Sequence, residues 1–145
     1  MKNFILKIIN GIVFPQTWVV NMASEKSFEN RVKKFLKEQG CYFIKYWGGG
    51  EFTKAGVPDI LVCCNGKFLG VEVKAQNGRP SPLQIHNLKK IDDSGGYGIL
   101  LYPNYFEVFK NLILCIKEED VNSMFNYNIF KHTLNQWEWR LKANG

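Results

Sequence analysis

The chain has 145 residues, 46% of them hydrophobic, and a net charge of +6 from 19 Lys and Arg against 13 Asp and Glu. A single domain of this length needs neither disulfides nor a structural metal to fold, and the apolar content excludes wholesale disorder. The charge excludes an acidic solvating protein and favours a polyanionic partner, either nucleic acid or an anionic membrane surface.

Residues 1–21 are apolar but broken by Lys7, Asn10 and Pro15. No run approaches the ~20 apolar residues of a membrane span, so no stable membrane insertion is expected. A signal peptide fits poorly, because Lys7 falls inside its apolar region. Phe4, Ile5, Ile8, Ile9 and Ile12 stand at helical spacing and predict a surface-lying or docking helix. Equally, the folded domain begins near Met22 and the first 21 residues are a dispensable extension.

Residues 24–39 read as a helix, with Ser24 as N-cap, Gly40 after its end, and Phe28, Val32, Phe35 and Leu36 on one face. Residues 41–47 read as a strand, followed by a glycine-rich loop over 48–56. Residues 58–64 and 67–75 read as strands joined by Asn65-Gly66, a strong two-residue hairpin signal. Ser81-Pro82 opens a second helix that closes near Gly95-Gly96. Residues 97–102 make a fourth strand, and helical patterns occupy 104–118 and 120–142. The expected fold is α/β, an α-β-β-β-α-β core with a mixed sheet. In domain terms, 1–21 is an extension, 22–118 the core, and 119–145 a helical C-terminal extension.

The hairpin carries the sharpest argument about chemistry. A two-residue turn at 65–66 pairs residue 64 with 67, and the register counts outward to place Asp59 opposite Glu72. Facing Cβ atoms in an antiparallel pair lie only ~4.5–5.5 Å apart, so two carboxylates there repel. A divalent cation offsets that repulsion, because Mg²⁺ takes oxygen from one or two carboxylates plus waters and phosphates. Lys74 follows Glu72 by two residues and shares its face, while Ile60, Val62, Val71 and Val73 point to the core. The ordinary reading of such a trio is a self-neutralised cluster on a solvated face. The facing register, the apolar neighbours and the preceding Gly-rich loop outweigh it here.

Glu29 sits at the border of the apolar face of the first helix, with Glu25 as its competitor for the same role. Gln84 stands three residues after Ser81, a capping-box spacing that also allows it to reach the active face. Lys45, Lys54, Arg79, Lys89 and Lys90 flank these positions and are candidate contacts to a phosphate backbone. His86 and His132 have no ligand pattern. The cysteines 41, 63, 64 and 115 have neither zinc-ligand nor redox spacing and read as small buried hydrophobes in a reducing cytosol.

Gly56-Val57-Pro58-Asp59, then Glu72-Val73-Lys74 after a short hairpin, resembles the PD-(D/E)XK nuclease superfamily. The likeness is greatest to its VRR-NUC family, small stand-alone phage and bacterial nucleases similar to Holliday junction resolvases. It spans about residues 24–103. It implies a restriction-endonuclease-like fold and a Mg²⁺-dependent deoxyribonuclease, with Mn²⁺ as substitute. It further implies that Asp59, Glu72 and Glu29 hold the metal, that Lys74 activates or positions the attacking water, and that Gln84 supports the site. It implies a cytoplasmic homodimer acting on branched DNA. Alternatives are a restriction-like or repair endonuclease on duplex or flap DNA, or a non-catalytic DNA-binding module.

Overall fold

The computed structural model describes the backbone of residues 6–9 and 12–145, and side chains from residue 25 onward. Two short strands, β1 (Leu6–Ile9) and β2 (Ile12–Pro15), pair antiparallel with Ile8 opposite Val13. They correct the expected N-terminal docking helix; Phe4 and Ile5 of that reading lie outside the described residues. The physical reason is local: Ile8, Ile9, Ile12 and Val13 are β-branched and favour extended backbone over helix.

Helix α1 (Gln16–Glu38) begins well before Ser24, which is therefore not its N-cap. No Gly or Pro occurs between Gln16 and Gln39, so nothing in the chain stops the helix from running back to Pro15. Its C-terminus closes as the sequence predicts. Gly40 takes φ 71°, and the Cys41 amide returns to the Leu36 carbonyl at 3.0 Å, a left-handed glycine stop.

Four strands form the main sheet in the order β3 (Tyr42–Lys45), β4 (Ile60–Cys64), β5 (Lys67–Val73), β6 (Tyr97–Leu101). The first three pair antiparallel and β6 pairs parallel to β5, so the sheet is mixed as expected. Asn65 (φ 48°) and Gly66 (φ 74°) both adopt left-handed backbone, which makes the two-residue turn and fixes Cys64 opposite Lys67. Helix α2 (Pro82–Asp93) is the crossover from β5 to β6. After a 3₁₀ turn (Pro103–Tyr105) come α3 (Phe106–Lys117) and α4 (Ser123–Ala143).

The sheet is covered on both faces. Ile60, Val62, Val71 and Val73 are at most 1% exposed and pack with Phe28, Val32 and Leu36 of α1 and Phe109, Leu112 and Ile113 of α3. The other face receives Ile85 and Leu88 of α2 against Leu100. Helix α4, the segment read from sequence as an extension, crosses the β6 edge and contributes to both layers. Tyr127 and Phe130 join the α1–α3 side, and Leu134 joins the α2 side. The Gly98 amide on the free edge of β6 donates to Tyr127 Oη at 2.9 Å, and that hydroxyl donates to Asp92 at 3.0 Å. A buried tyrosine thus satisfies the edge strand and ties it to α2. Among the described residues no helix is long and apolar enough to cross a membrane.

The approach of α2 to β6 requires glycine at one position. A Cβ at Gly98 would overlap the Leu88 carbonyl, which is helix backbone and cannot swing aside. Gly98→Ala is expected to cost about 3 kcal/mol or more, lowering the thermal midpoint by about 10 °C; calorimetry reads this directly.

Candidate active site

The ends of four elements, β3, β4, β5 and α2, meet the middle of α1 at one end of the sheet. Asp59 lies immediately before β4, Glu72 is the penultimate residue of β5, and Lys74 follows its end. The hairpin register predicts Asp59 opposite Glu72, and the ladder holds that register out to Ile60 opposite Val71. One step further the pairing stops. Asp59 turns its carboxylate across the strand end, where Oδ2 accepts the Val73 amide at 2.9 Å. Asp59 is thereby held by β5 backbone beside the Glu72 side chain.

Glu72 is the one buried carboxylate among the described residues, 2% exposed. It lies under α2, so the face that carries it is covered and not the solvated face of the ordinary reading. Its Oε1 accepts from Gln84 Nε2 and sits 3.1 Å from Lys74 Nζ. Its Oε2 is buried without a hydrogen-bond partner, which ordinarily costs about 1–3 kcal/mol or more for a charged group. Burial first, and then the negative charge of Asp59, push the Glu72 carboxyl up to about 7 against the pull of Lys74.

Gln84 fulfils both roles its position allowed. Its backbone amide donates to Ser81 Oγ (3.2 Å) and its Oε1 accepts the Ser81 amide (2.8 Å), completing the capping box. The remaining amide hydrogens face Glu72. A helix cap and a site contact are thus made by one side chain, and α2 is keyed to β5 through it.

Lys45 was expected to track a phosphate backbone; the structure instead places it inside the acidic cluster. Its Nζ is 2.8 Å from Glu29 Oε2 and 3.3 Å from Asp59 Oδ1. Burial opposes the charge of both Lys45 and Glu29. The hydrogen bonds and opposite charges around them together outweigh it: Glu29 and Asp59 raise the Lys45 pKa, and Lys45 with Lys33 at 3.1 Å lowers that of Glu29. Glu29 therefore reaches Asp59 through an ammonium. Glu25, its rival, accepts the Ala75 amide at 3.1 Å and pins the chain just past Lys74. Both α1 glutamates serve the site, one through charge and one through backbone.

The other candidate DNA contacts divide. Lys89 is held by Glu138 (2.8 Å) and Asn135 (3.0 Å) of α4 and so binds helix to helix. Lys54, Arg79 and Lys90 are exposed and make no ion pair among the described residues. All four cysteines are free, and burial pushes the Cys64 thiol up to about 12, so it is no nucleophile.

Among the described residues no three His, Cys, Asp or Glu side chains converge as a metal cage. The donor set nearest to one is the pair Asp59 and Glu72. It fits a hard divalent cation that keeps most of its waters, since such an ion needs only one or two carboxylates. The unpartnered Glu72 Oε2 is the oxygen such an ion would satisfy.

Comparison with protein-family models matches residues 21–93, half of the chain, to the archaeal Holliday junction resolvase (Hjc) family. The matched segment contains Glu25, Glu29, Lys45, Asp59, Glu72, Lys74 and Gln84, and excludes β6, α3 and α4. No curated protein and no solved structure matches significantly.

The buried charge makes a testable statement about stability. Glu72→Gln keeps the side-chain shape and removes the charge that burial and Asp59 oppose. At pH 8 in chelator it is expected to stabilise the protein by about 1 kcal/mol, a rise of a few degrees in thermal midpoint. A midpoint at or below that of the wild type would contradict the destabilised-carboxylate reading.

Proposed function

The chain belongs to the archaeal Holliday junction resolvase family, within the restriction-endonuclease-like nucleases, and we propose from that premise that it is a metal-dependent endonuclease hydrolysing phosphodiester bonds in branched DNA. The observation that carries the metal dependence is the buried, unpartnered Glu72 Oε2 beside Asp59. The narrower likeness to VRR-NUC enzymes, on Gly56 to Asp59, Glu72 to Lys74 and Gln84, belongs to the same reading.

Asp59 and Glu72 are the residues that would hold Mg²⁺ or Mn²⁺. When bound, the cation neutralises phosphate charge and lowers the pKa of a coordinated water. The remaining roles fall to the chain itself. Lys74 carries an ammonium 3.1 Å from Glu72 Oε1 and is 14% exposed, so it can orient an attacking water and offset charge developing on the phosphate. Gln84 fixes the Glu72 rotamer by donating to the same oxygen. The Val73 amide holds the Asp59 carboxylate in place. Glu29 acts through Lys45 in this arrangement, and a direct role in the cation's hydration shell requires the Lys45 ion pairs to open. Cleavage leaves a 5′-phosphate and a 3′-hydroxyl.

A four-way junction presents two equivalent strands, which a two-fold dimer matches with one site each. The surface proposed for that dimer is the part of the sheet that α2 leaves uncovered. Tyr42, Cys63 and Phe68 pair in register across β3, β4 and β5 on that face, and Tyr42 and Phe68 are 70% and 47% exposed. The expected setting is the cytoplasm.

Labelled four-way junction, flap, linear duplex and single strand, each with Mg²⁺, Mn²⁺ or chelator, test the proposal. Wild type is expected to cut the junction preferentially and only with metal. Asp59→Ala and Glu72→Ala should each reduce cutting by about 10²–10³-fold while still binding DNA. Full activity in either variant, or cutting in chelator, would remove the metal-site assignment. Sedimentation should give a dimer that Phe68→Asp converts to monomer; a monomeric wild type at working concentration sinks the dimer.

A further inference from the structure

A groove of about 580 Å³ lies between the loop after Lys74 and the C-terminal half of α4. We propose that it binds a single strand of nucleic acid, one or two nucleotides long, as that strand leaves the active site. The proposal rests on the nuclease reading for its substrate and on separate residues for its evidence. Helix α4, one wall of the groove, lies outside the family match, whereas the loop that forms the other wall lies inside it.

The chemistry of the lining identifies the ligand. Arg79 and Arg140 contribute two guanidiniums, and no Asp or Glu lines the groove. Neither arginine makes an ion pair among the described residues. The neighbouring cavity between α2 and α4 shows the contrast, for there Asp93 and Glu138 stand among the lysines. Two unmatched cations in an acid-free concavity favour a polyanion. The other polar lining includes Gln76, Asn77, Gln136 and Asn144, amides that can donate to phosphate and to base edges alike. The Arg140 guanidinium lies over the Trp137 ring, 5.3 Å from its centroid. A planar guanidinium so supported offers a stacking surface for an unpaired base. The volume is that of a small-ligand pocket, suited to nucleotides of one strand and too small for a duplex.

Its position ties it to catalysis. Gly78 forms part of the wall, and a Cβ there would come within 3.3 Å of Lys74 Cβ. Tyr102 Oη donates to the Gly78 carbonyl at 2.9 Å, and Gln76 Oε1 accepts the Asn104 amide at 3.2 Å. The loop is thus anchored to the end of β6, and the groove opens one side-chain layer from the lysine of the site.

Fluorescence anisotropy of a short labelled oligothymidine, titrated with full-length protein in chelator, reads the groove without requiring cleavage. Arg79→Ala and Arg140→Ala remove exposed side chains and are expected to fold. Each should weaken binding by about 5- to 10-fold and lower the slope of log affinity against log salt by about 1. Lys110→Ala, on α3, makes the same charge change away from the groove and should leave binding near that of wild type. The proposal is overturned if the double arginine variant binds like wild type, or if Lys110→Ala costs as much as Arg140→Ala. It is also overturned if blunt duplex binds as tightly as the single strand and loses as much in the arginine variants. Junction cleavage with Mg²⁺, run in parallel, separates the two readings. Wild type that cuts, with arginine variants that bind normally, retains the nuclease and removes the groove. Wild type that never cuts, with arginine-dependent binding, retains the groove and removes the nuclease.

Discussion

A carboxylate is buried near the end of an inner strand of the sheet, with a second carboxylate beside it. Glu72 has β4 on one side, β6 on the other and α2 above, and none of these supplies a partner for its second oxygen. Desolvation and the Asp59 charge both oppose ionisation there, and one lysine does not balance them. A fold selected for stability alone would place an apolar residue at this position. The surrounding structure instead holds the charge in place: Gln84 and Lys74 on one oxygen, the Val73 amide on its neighbour Asp59, and Lys45 between Asp59 and Glu29.

The architecture around that position serves to keep it rigid. The Asn65-Gly66 turn fixes the β4–β5 register, which brings Asp59 to the level of Glu72. The Ser81 cap fixes the first turn of α2, which aims Gln84. The close approach of α2 to Gly98 fixes the helix on the sheet, and Tyr127 of α4 locks the edge of β6 behind it. Each device is a backbone constraint acting on one site side chain. Preorganisation of this kind is what electrostatic catalysis needs, because groups already oriented do not have to reorganise during reaction.

Helix α4 has a double part in this arrangement. Its apolar residues Tyr127, Phe130 and Leu134 bridge the two layers of the core, while Trp137 and Arg140 line the groove that begins beside Lys74. The matched family segment contains the acidic residues and lysines of the site but ends at the last residue of α2. The charged residues of the site thus lie in the matched part, and the α4 wall of the groove lies outside it.

Local pattern determined much of this protein. Alternating apolar residues in 60–64 and 67–73, the Asn-Gly turn and the Ser81–Gln84 spacing are short-range signals, and from them the hairpin, its register, the mixed α/β order and the clustering of Asp59, Glu72, Lys74 and Gln84 were legible. Three matters were not. The start of α1 was missed because Ser24 has cap chemistry but nothing upstream breaks the helix before Pro15. The burial of Glu72 depends on α2 folding back over β5, a packing that strand periodicity cannot express. The entry of Lys45 into the acidic cluster depends on β3 pairing with β4 so that Lys45 lies opposite Ile60, across a long glycine-rich loop that carries no register information. Contacts made within a hairpin or a helix cap are encoded by residues a few positions apart. Contacts made across the sheet and between layers are set by the closing of long loops, and only the tertiary structure decides them.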